Sequence, residues 1–181
     1  MLTNLARVLF MLAIIAPPGQ TASVRSTLKL LPACVAQRLT YQLNGIAVTN
    51  SPILGPDLSG IATPDGLVAV VNSPDDSLTL VLLHELGHEV DYDIGASTAP
   101  RFRRAVRADF AGLTSSQKRE LSAFRKPEEA FAELFAERYA PGDLYEQQGT
   151  PAINRLKRTH RLVTRILAQL EHCRIETPIT P

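Results

Sequence analysis

The chain has 181 residues, of which 45% are hydrophobic and 20% are charged, and this composition excludes a mostly disordered protein. Its length fits one domain rather than two. Nineteen basic and eighteen acidic residues give a formal net charge of +1. No bulk electrostatic field therefore favours nucleic acid or an anionic membrane, and we expect neither partner. Two cysteines exclude a disulfide-dense miniprotein and a four-cysteine zinc site.

Residues 1–23 have the features of a secretory signal peptide. Arg7 precedes the apolar run 8–16, and small residues follow it. The run is too short to span a bilayer, which needs about 20 residues. We expect cleavage at the end of this segment, a secreted or periplasmic location, and a mature domain that covers residues 24–181 without a stable membrane span. An uncleaved anchor or a buried helix is the alternative.

The two cysteines lie near the two ends of the expected mature chain. Export would place Cys34 and Cys173 in an oxidising compartment, where a disulfide would tie those ends together. Two unpaired, partly buried thiols are the alternative.

Short elements are expected in the first half of the mature chain. A helix is predicted over 31–39, and apolar runs predict strands at 45–49 and 67–71. The segment 51–66 is rich in Pro, Gly, Asp and Ser and predicts a loop, which ends in a turn at 63–66.

The second half is predicted to be helical. Ser73 is the expected N-cap of a helix that runs to about Asp91, with Gly95 beyond its end. Further helices are expected at 100–110, after the capping box 114–117, from Pro127 to before Pro141, and from Pro151 onward.

Residues 84–88 read HELGH, a pattern typical of metal-binding catalytic sites. On a helix, His84 and His88 lie on one face, one turn apart, so that both imidazoles can bind one metal ion. Glu85 can then take a proton from water in an open coordination position. Gly87 is a poor helix residue, which indicates that another element packs closely there. A buried helix with two satisfied histidines is the alternative interpretation.

A catalytic metal site needs a third protein ligand, and two common spacings fail. Ile94 and Ala108 occupy the positions where two zinc-peptidase classes have histidine or glutamate. The remaining candidates are glutamates that recur every four residues in the helix from Pro127: Glu129, Glu133 and Glu137. Small Ala130 and Ala132 permit this helix to approach another one closely. A solvated acidic face is the alternative.

Two motifs together resemble a known enzyme family. The segments HELGHEVD at 84–91 and EAFAELF at 129–135 are similar to the catalytic domain of anthrax toxin lethal factor and its bacterial relatives. The strand 67–71 fits the same order of elements, and the resemblance covers roughly residues 30–140, loosely outside the two motifs. It implies a mostly helical α+β, zincin-like fold with a small sheet beside the metal-binding helix.

The resemblance also implies roles for single residues. Three residues would bind one zinc ion per chain: His84, His88 and Glu129. Glu85 would activate water, while Glu133 and Asp91 would orient the ligands by hydrogen bonding, as carboxylates around metal sites commonly do.

The chain departs from the family at one catalytic position. Lethal factor has a tyrosine seven residues before its third ligand, and Ser122 stands at that position here. A serine is a poorer donor to an oxyanion, and Tyr92, Tyr139 or Tyr145 could take its place.

We expect a secreted, monomeric zinc metallopeptidase that cleaves peptide or protein substrates as an endopeptidase. The alternative, kept open by Ser122, is a catalytically inactive binding domain on the same scaffold.

Overall fold

The computed structural model describes residues 13–50, 59–74 and 76–174. The helices are α1 (Gln20–Leu28), α2 (Ala33–Gln42), α3 (Leu78–Ile94), α4 (Pro100–Ala111), α5 (Ser115–Glu120), α6 (Pro127–Tyr139), α7 (Leu144–Gln148) and α8 (Lys157–Glu171). The strands are β1 (Ile14–Ile15), β2 (Gly45–Thr49), β3 (Gly60–Thr63) and β4 (Leu67–Val71). The predicted α+β class, mostly helical with a small sheet beside the helix of the HELGH motif, is confirmed.

The sheet has the strand order β1-β2-β4-β3. Strands β1, β2 and β4 are parallel, and β2 and β4 have the predicted bounds. Strand β3 runs antiparallel to β4 and pairs Gly60 with Val70. It lies within the segment predicted to be a loop, and that part of the prediction is wrong. Four residues carry little local signal, and pairing with β4 is what holds them extended.

Helix α3 is the centre of the core, since it contacts β3, β4, α1, α2 and α6. It begins four residues later than predicted, because Ser77 rather than Ser73 is its N-cap and accepts a hydrogen bond from the Leu80 amide at 3.4 Å. Ahead of it, the Asn72 amide donates to Thr49 O at 2.7 Å, which prolongs the sheet pairing beyond β4.

The last predicted helix is divided in two. Pro151–Arg155 form a 3-10 turn, and α8 starts only at Lys157. The carboxylate of Asp109, at the end of α4, accepts hydrogen bonds from the amides of Arg158 and Thr159 at 2.9 and 2.8 Å. Asp109 therefore satisfies amides in the first turn of α8 from another helix and fixes where α8 begins. Five apolar residues of this segment are buried in the core: Ile153, Leu156, Val163, Leu167 and Leu170.

Cys34 and Cys173 form a disulfide with a Cα–Cα distance of 5.4 Å, as expected. The expected signal peptide lies partly outside the described residues, which begin at 13. Its last part forms β1 and the first turn of α1, so cleavage at the end of the segment would remove the strand that pairs with β2. Among the described residues, no helix combines the length and apolarity that a bilayer crossing requires.

Candidate metal centre

The HELGH helix and the glutamate helix meet at a glycine. A Cβ added to Gly87 of α3 would lie 2.8 Å from the Cα of Ala132 and 3.0 Å from the Cβ of Phe135, both on α6. Only a residue without a side chain lets the two backbones approach this closely. The predicted close packing at Gly87, with Ala132 on the partner helix, is therefore confirmed.

The close approach brings two histidines and one glutamate together. The Oε2 atom of Glu129 lies 3.3 Å from Nε2 of His84 and 3.7 Å from Nε2 of His88. One candidate ligand atom from each of the three residues lies within 4.8 Å of the other two. The site thus unites the three residues that the sequence assigned as metal ligands.

The distances from Glu129 to the two imidazoles, 3.3 and 3.7 Å, are close to those in a tetrahedral metal site. Ligand bonds of roughly 2.0–2.2 Å in tetrahedral geometry place neighbouring ligand atoms about 3.3–3.6 Å apart. Two imidazoles and one carboxylate are a donor set that suits zinc and leaves one coordination position open.

Without a metal, the cluster is stabilised by attraction between a positively charged His84 and the carboxylates of Glu129 and Glu133. Burial opposes a charge on His84, but the carboxylates of Glu129 and Glu133 outweigh it and raise the pKa of this imidazole to about 10. Hydrogen bonds with His84 and His88 hold the pKa of Glu129 well below its usual range. A metal ion that binds here must therefore displace a proton from His84.

Glu133 fixes the orientation of His84. Its Oε2 atom lies 3.0 Å from Nδ1 of His84, so it can accept that N–H and leave Nε2 free to face the cluster. The hydroxyl of Tyr145 donates to Oε1 of Glu133 at 2.7 Å. Burial would raise the pKa of Glu133, but the hydrogen bonds from His84 and Tyr145 lower it, so this side chain is a carboxylate.

Glu85 is buried between α3 and the sheet. Its side chain is 7% exposed and accepts a hydrogen bond from the backbone of Ala62 in β3. Burial raises its pKa, against the opposing effect of His84 and His88. A Cβ on Gly60 would lie 2.6 Å from Oε1 of Glu85, so the glycine leaves the room that this carboxylate occupies.

An open cavity of about 570 Å³ adjoins the cluster. Strand β3 borders one part of it, and the residues that carry the chemistry line it: His84, Glu85, His88, Glu129 and Glu133. Of the three tyrosines left open by the sequence, Tyr92 and Tyr145 line the cavity, whereas Tyr139 donates to Glu171. Tyr145 is committed to Glu133, while Tyr92 is 47% exposed at the cavity. Ser122 is exposed and is not among the residues that line this cavity.

One sequence-based assignment needs correction, and one open candidate for the third ligand lies elsewhere. Asp91, expected to orient a ligand, instead accepts a hydrogen bond from the Ser97 amide at 2.8 Å, and it makes no described hydrogen bond to either imidazole. It stabilises the chain that leaves α3. Glu137, one of the three candidate third ligands, points away and lies 3.3 Å from Nε2 of His160.

The sequence did not indicate Gly60 or Ala62 as residues of the site. It indicated Tyr145 only as a possible donor to the oxyanion, and not as the partner of Glu133. Gly60 and Ala62 stand in the segment predicted to be a loop, and nothing local marks them as partners of Glu85. No protein-family model matches the chain, and no curated protein is similar to it at a significant level.

Proposed function

We propose that the chain is a zinc-dependent endopeptidase. The observation that carries the proposal is the convergence of His84, His88 and Glu129 to within 4.8 Å, beside a buried Glu85, in an open cavity. This is the arrangement that hydrolysis by a metal-activated water requires. When bound, zinc would lower the pKa of a coordinated water and polarise the scissile carbonyl.

Glu85 is the proposed general base. Its raised pKa brings the carboxyl closer to neutral pH, where a group can both accept a proton and return it. Glu85 would take a proton from the attacking water and deliver it to the leaving amine. The Ala62 amide and the space at Gly60 hold its carboxylate in place for both steps.

The cavity suits an extended peptide. Strand β3 is at the end of the strand order, and its residues Gly60 to Ala62 line the cavity. No described strand pairs with the other edge of β3, where Glu85 uses the Ala62 amide, and an extended chain can add to such an edge through its remaining main-chain groups. This supports a peptide or protein substrate, and the disulfide supports an exported enzyme, secreted or periplasmic.

Tyr92 is the proposed hydrogen-bond donor to the oxyanion. It would take over the role of the lethal factor tyrosine, whose position is occupied by Ser122 in this chain. Tyr92 lies one helical turn beyond His88, lines the cavity and is half-exposed, and its hydroxyl makes no hydrogen bond to any described residue. We expect Tyr92→Phe to lower kcat by up to 10²–10³-fold, the loss typical of one oxyanion donor, with zinc content unchanged. Unchanged kcat would remove Tyr92 from the mechanism.

The function is tested by comparing Glu85→Gln with the parent protein. Mature protein purified without chelator is assayed for zinc by elemental analysis and for cleavage of an unfolded protein substrate by mass spectrometry of the products. We expect one zinc per chain in both proteins and at least a ~100-fold loss of cleavage in Glu85→Gln. Glu146→Gln is the control, because this glutamate is exposed and does not line the cavity.

The possible outcomes separate the two functions weighed from the sequence. Equal cleavage by Glu85→Gln and the parent would refute the role of Glu85. Stoichiometric zinc without cleavage of any unfolded substrate would favour the inactive binding domain instead.

A further inference from the structure

A second cavity lies between α4 and α8 and is lined by arginines. Its volume is about 350 Å³, and it shares no lining residue with the metal cavity. Five of its seven lining residues are arginines, which we call the arginine groove: Arg101, Arg104, Arg158, Arg161 and Arg165. The other two are Ala105 and Leu162, so no acidic side chain lines the groove.

No guanidinium group of the groove forms an ion pair with a described acidic residue. None of the ion pairs found within 13–50, 59–74 and 76–174 involves any of the five guanidinium groups. By contrast, Arg138 and Arg155 elsewhere on the surface pair with Glu171 and Glu120. Of nineteen basic residues in a nearly neutral chain, five therefore line one groove without an ion pair to any described residue.

The spacing within each helix increases the repulsion. Arg101 and Arg104 are three residues apart on α4, and Arg161 is three residues after Arg158 and four before Arg165 on α8. Like charges at these spacings are neighbours on a helix surface and destabilise it. A surface selected only for solubility would intersperse acidic residues.

The groove is also fixed in shape. Asp109 of α4 accepts hydrogen bonds from the amides of Arg158 and Thr159 and from the hydroxyl of Thr159 at 2.9 Å. The buried side chains of Phe102, Val106 and Val163 form part of the core between these helices. The guanidinium groups are thus carried on two helices whose relative position is constrained, which reduces the cost of binding a ligand to both.

We propose that the arginine groove binds a linear polymer of closely spaced phosphate groups. Arginine presents a planar set of donors that matches phosphate oxygens in a bidentate manner. A groove between two helices fits a linear chain better than the flat surface of a membrane, and Leu162 is the one large apolar side chain that lines it, too little for insertion into lipid. It has no aromatic residue on which a nucleobase could stack, so contacts to phosphate alone are expected.

The test measures binding of long-chain inorganic polyphosphate to the full chain as purified. Arg104→Gln with Arg161→Gln removes one guanidinium group from each helix of the groove. We expect binding at least tenfold weaker than in the parent, and a salt dependence reduced by a slope of roughly 1.5, since each neutralised contact accounts for about 0.7–0.9. Lys118→Gln with Arg119→Gln removes the same charge from exposed positions on α5 and should change affinity less than twofold. Thermal melts of both variants establish that each is folded.

Several outcomes would overturn the proposal. Equal weakening in the two double variants would mean that net charge alone drives the binding. Inhibition by monophosphate at the same phosphate concentration would indicate a site for single ions. Binding to vesicles of anionic phospholipid without binding to polyphosphate would assign the surface to membranes. Tighter binding of single-stranded DNA than of polyphosphate would mean that bases contribute to recognition.

Discussion

Helices α3 and α6 bring two imidazoles and three carboxylates together, whereas α4 and α8 bring together five guanidinium groups that form no ion pair with the described acidic residues. In the first pair, His84 lies 3.3 Å from Glu129 and 3.0 Å from Glu133, so opposite charges stabilise one another inside the fold. In the second pair the charges repel and face solvent. Ion pairs within the protein hold the side chains of the metal cluster in place. The charges of the arginine groove are available to a ligand.

The difference shows what each site demands of the backbone. The metal cluster needs two helices in close contact, and Gly87 with Ala132 provides this. The arginine groove needs two packed helices whose exposed faces carry long side chains toward the same cavity. Its anchor is therefore a side chain, Asp109, that reaches from one helix to the first turn of the other.

The largest effect is expected from removing the third metal ligand. Glu129→Ala takes away the oxygen that lies near both imidazoles, whereas Glu133→Ala removes only the partner of His84. Partners of metal ligands typically contribute 10–100-fold to metal affinity, so we expect Glu133→Ala to lose that much and Glu129→Ala to lose more. Zinc titration against a chromophoric chelator measures both. A larger loss with Glu133→Ala would show that Glu133, and not Glu129, binds the metal.

A smaller effect is expected from forcing the first helix pair apart. In Gly87→Ala the new methyl group would collide with the backbone of Ala132, which cannot rotate away. We expect a loss of about 1–3 kcal/mol in the free energy of unfolding, together with weaker zinc binding. Gly112→Ala is the matched control, since its nearest contact, Asp109 O at 3.5 Å, is ordinary. Wild-type stability in Gly87→Ala would mean that α3 and α6 can separate without cost.

The sequence predicted the first helix pair better than the second. Residues 84–88 and the glutamates of α6 lie at spacings that reflect their chemistry, so the cluster could be read from the chain. Gly60 and Ala62 could not, because their role depends on β3 pairing with β4 and lying against Glu85. Asp91 was misassigned for the opposite reason: it has the right spacing, but the Ser97 amide is its actual partner.

The arginine groove was not predictable because it joins two helices distant in sequence. The basic residues of α8, taken alone, indicate a solvated face. Only the packing of α4 against α8 adds Arg101 and Arg104 to the same cavity. The sequence predicted that the last helix begins at Pro151. Because Asp109 of α4 binds the amides of Arg158 and Thr159, α8 begins at Lys157 instead.

The pH dependence of zinc affinity tests how strongly His84 interacts with the carboxylates of Glu129 and Glu133. Because its carboxylate neighbours raise the pKa of His84 to about 10 in the metal-free protein, zinc must displace a proton at neutral pH. We expect the dissociation constant for zinc to rise about tenfold for each pH unit below that value. Competition titrations at several pH values measure this, and Glu133→Gln should flatten the dependence near neutrality. Affinity that does not change with pH would contradict a protonated His84.

The smallest effect is expected in the second pair, and its sign is the informative part. Arg161→Gln removes two repulsive spacings, to Arg158 and to Arg165, without changing helix propensity much. We expect the free energy of unfolding to increase by about 0.4–1 kcal/mol at low ionic strength, the sum for two pairs. The gain should disappear at about 1 M salt, where the Debye length is about 3 Å. Arg155→Gln, the same change at a residue paired with Glu120, should instead destabilise the protein slightly. If both variants shifted stability in the same direction, the groove arginines would not repel one another, and the contrast between the two helix pairs would not hold.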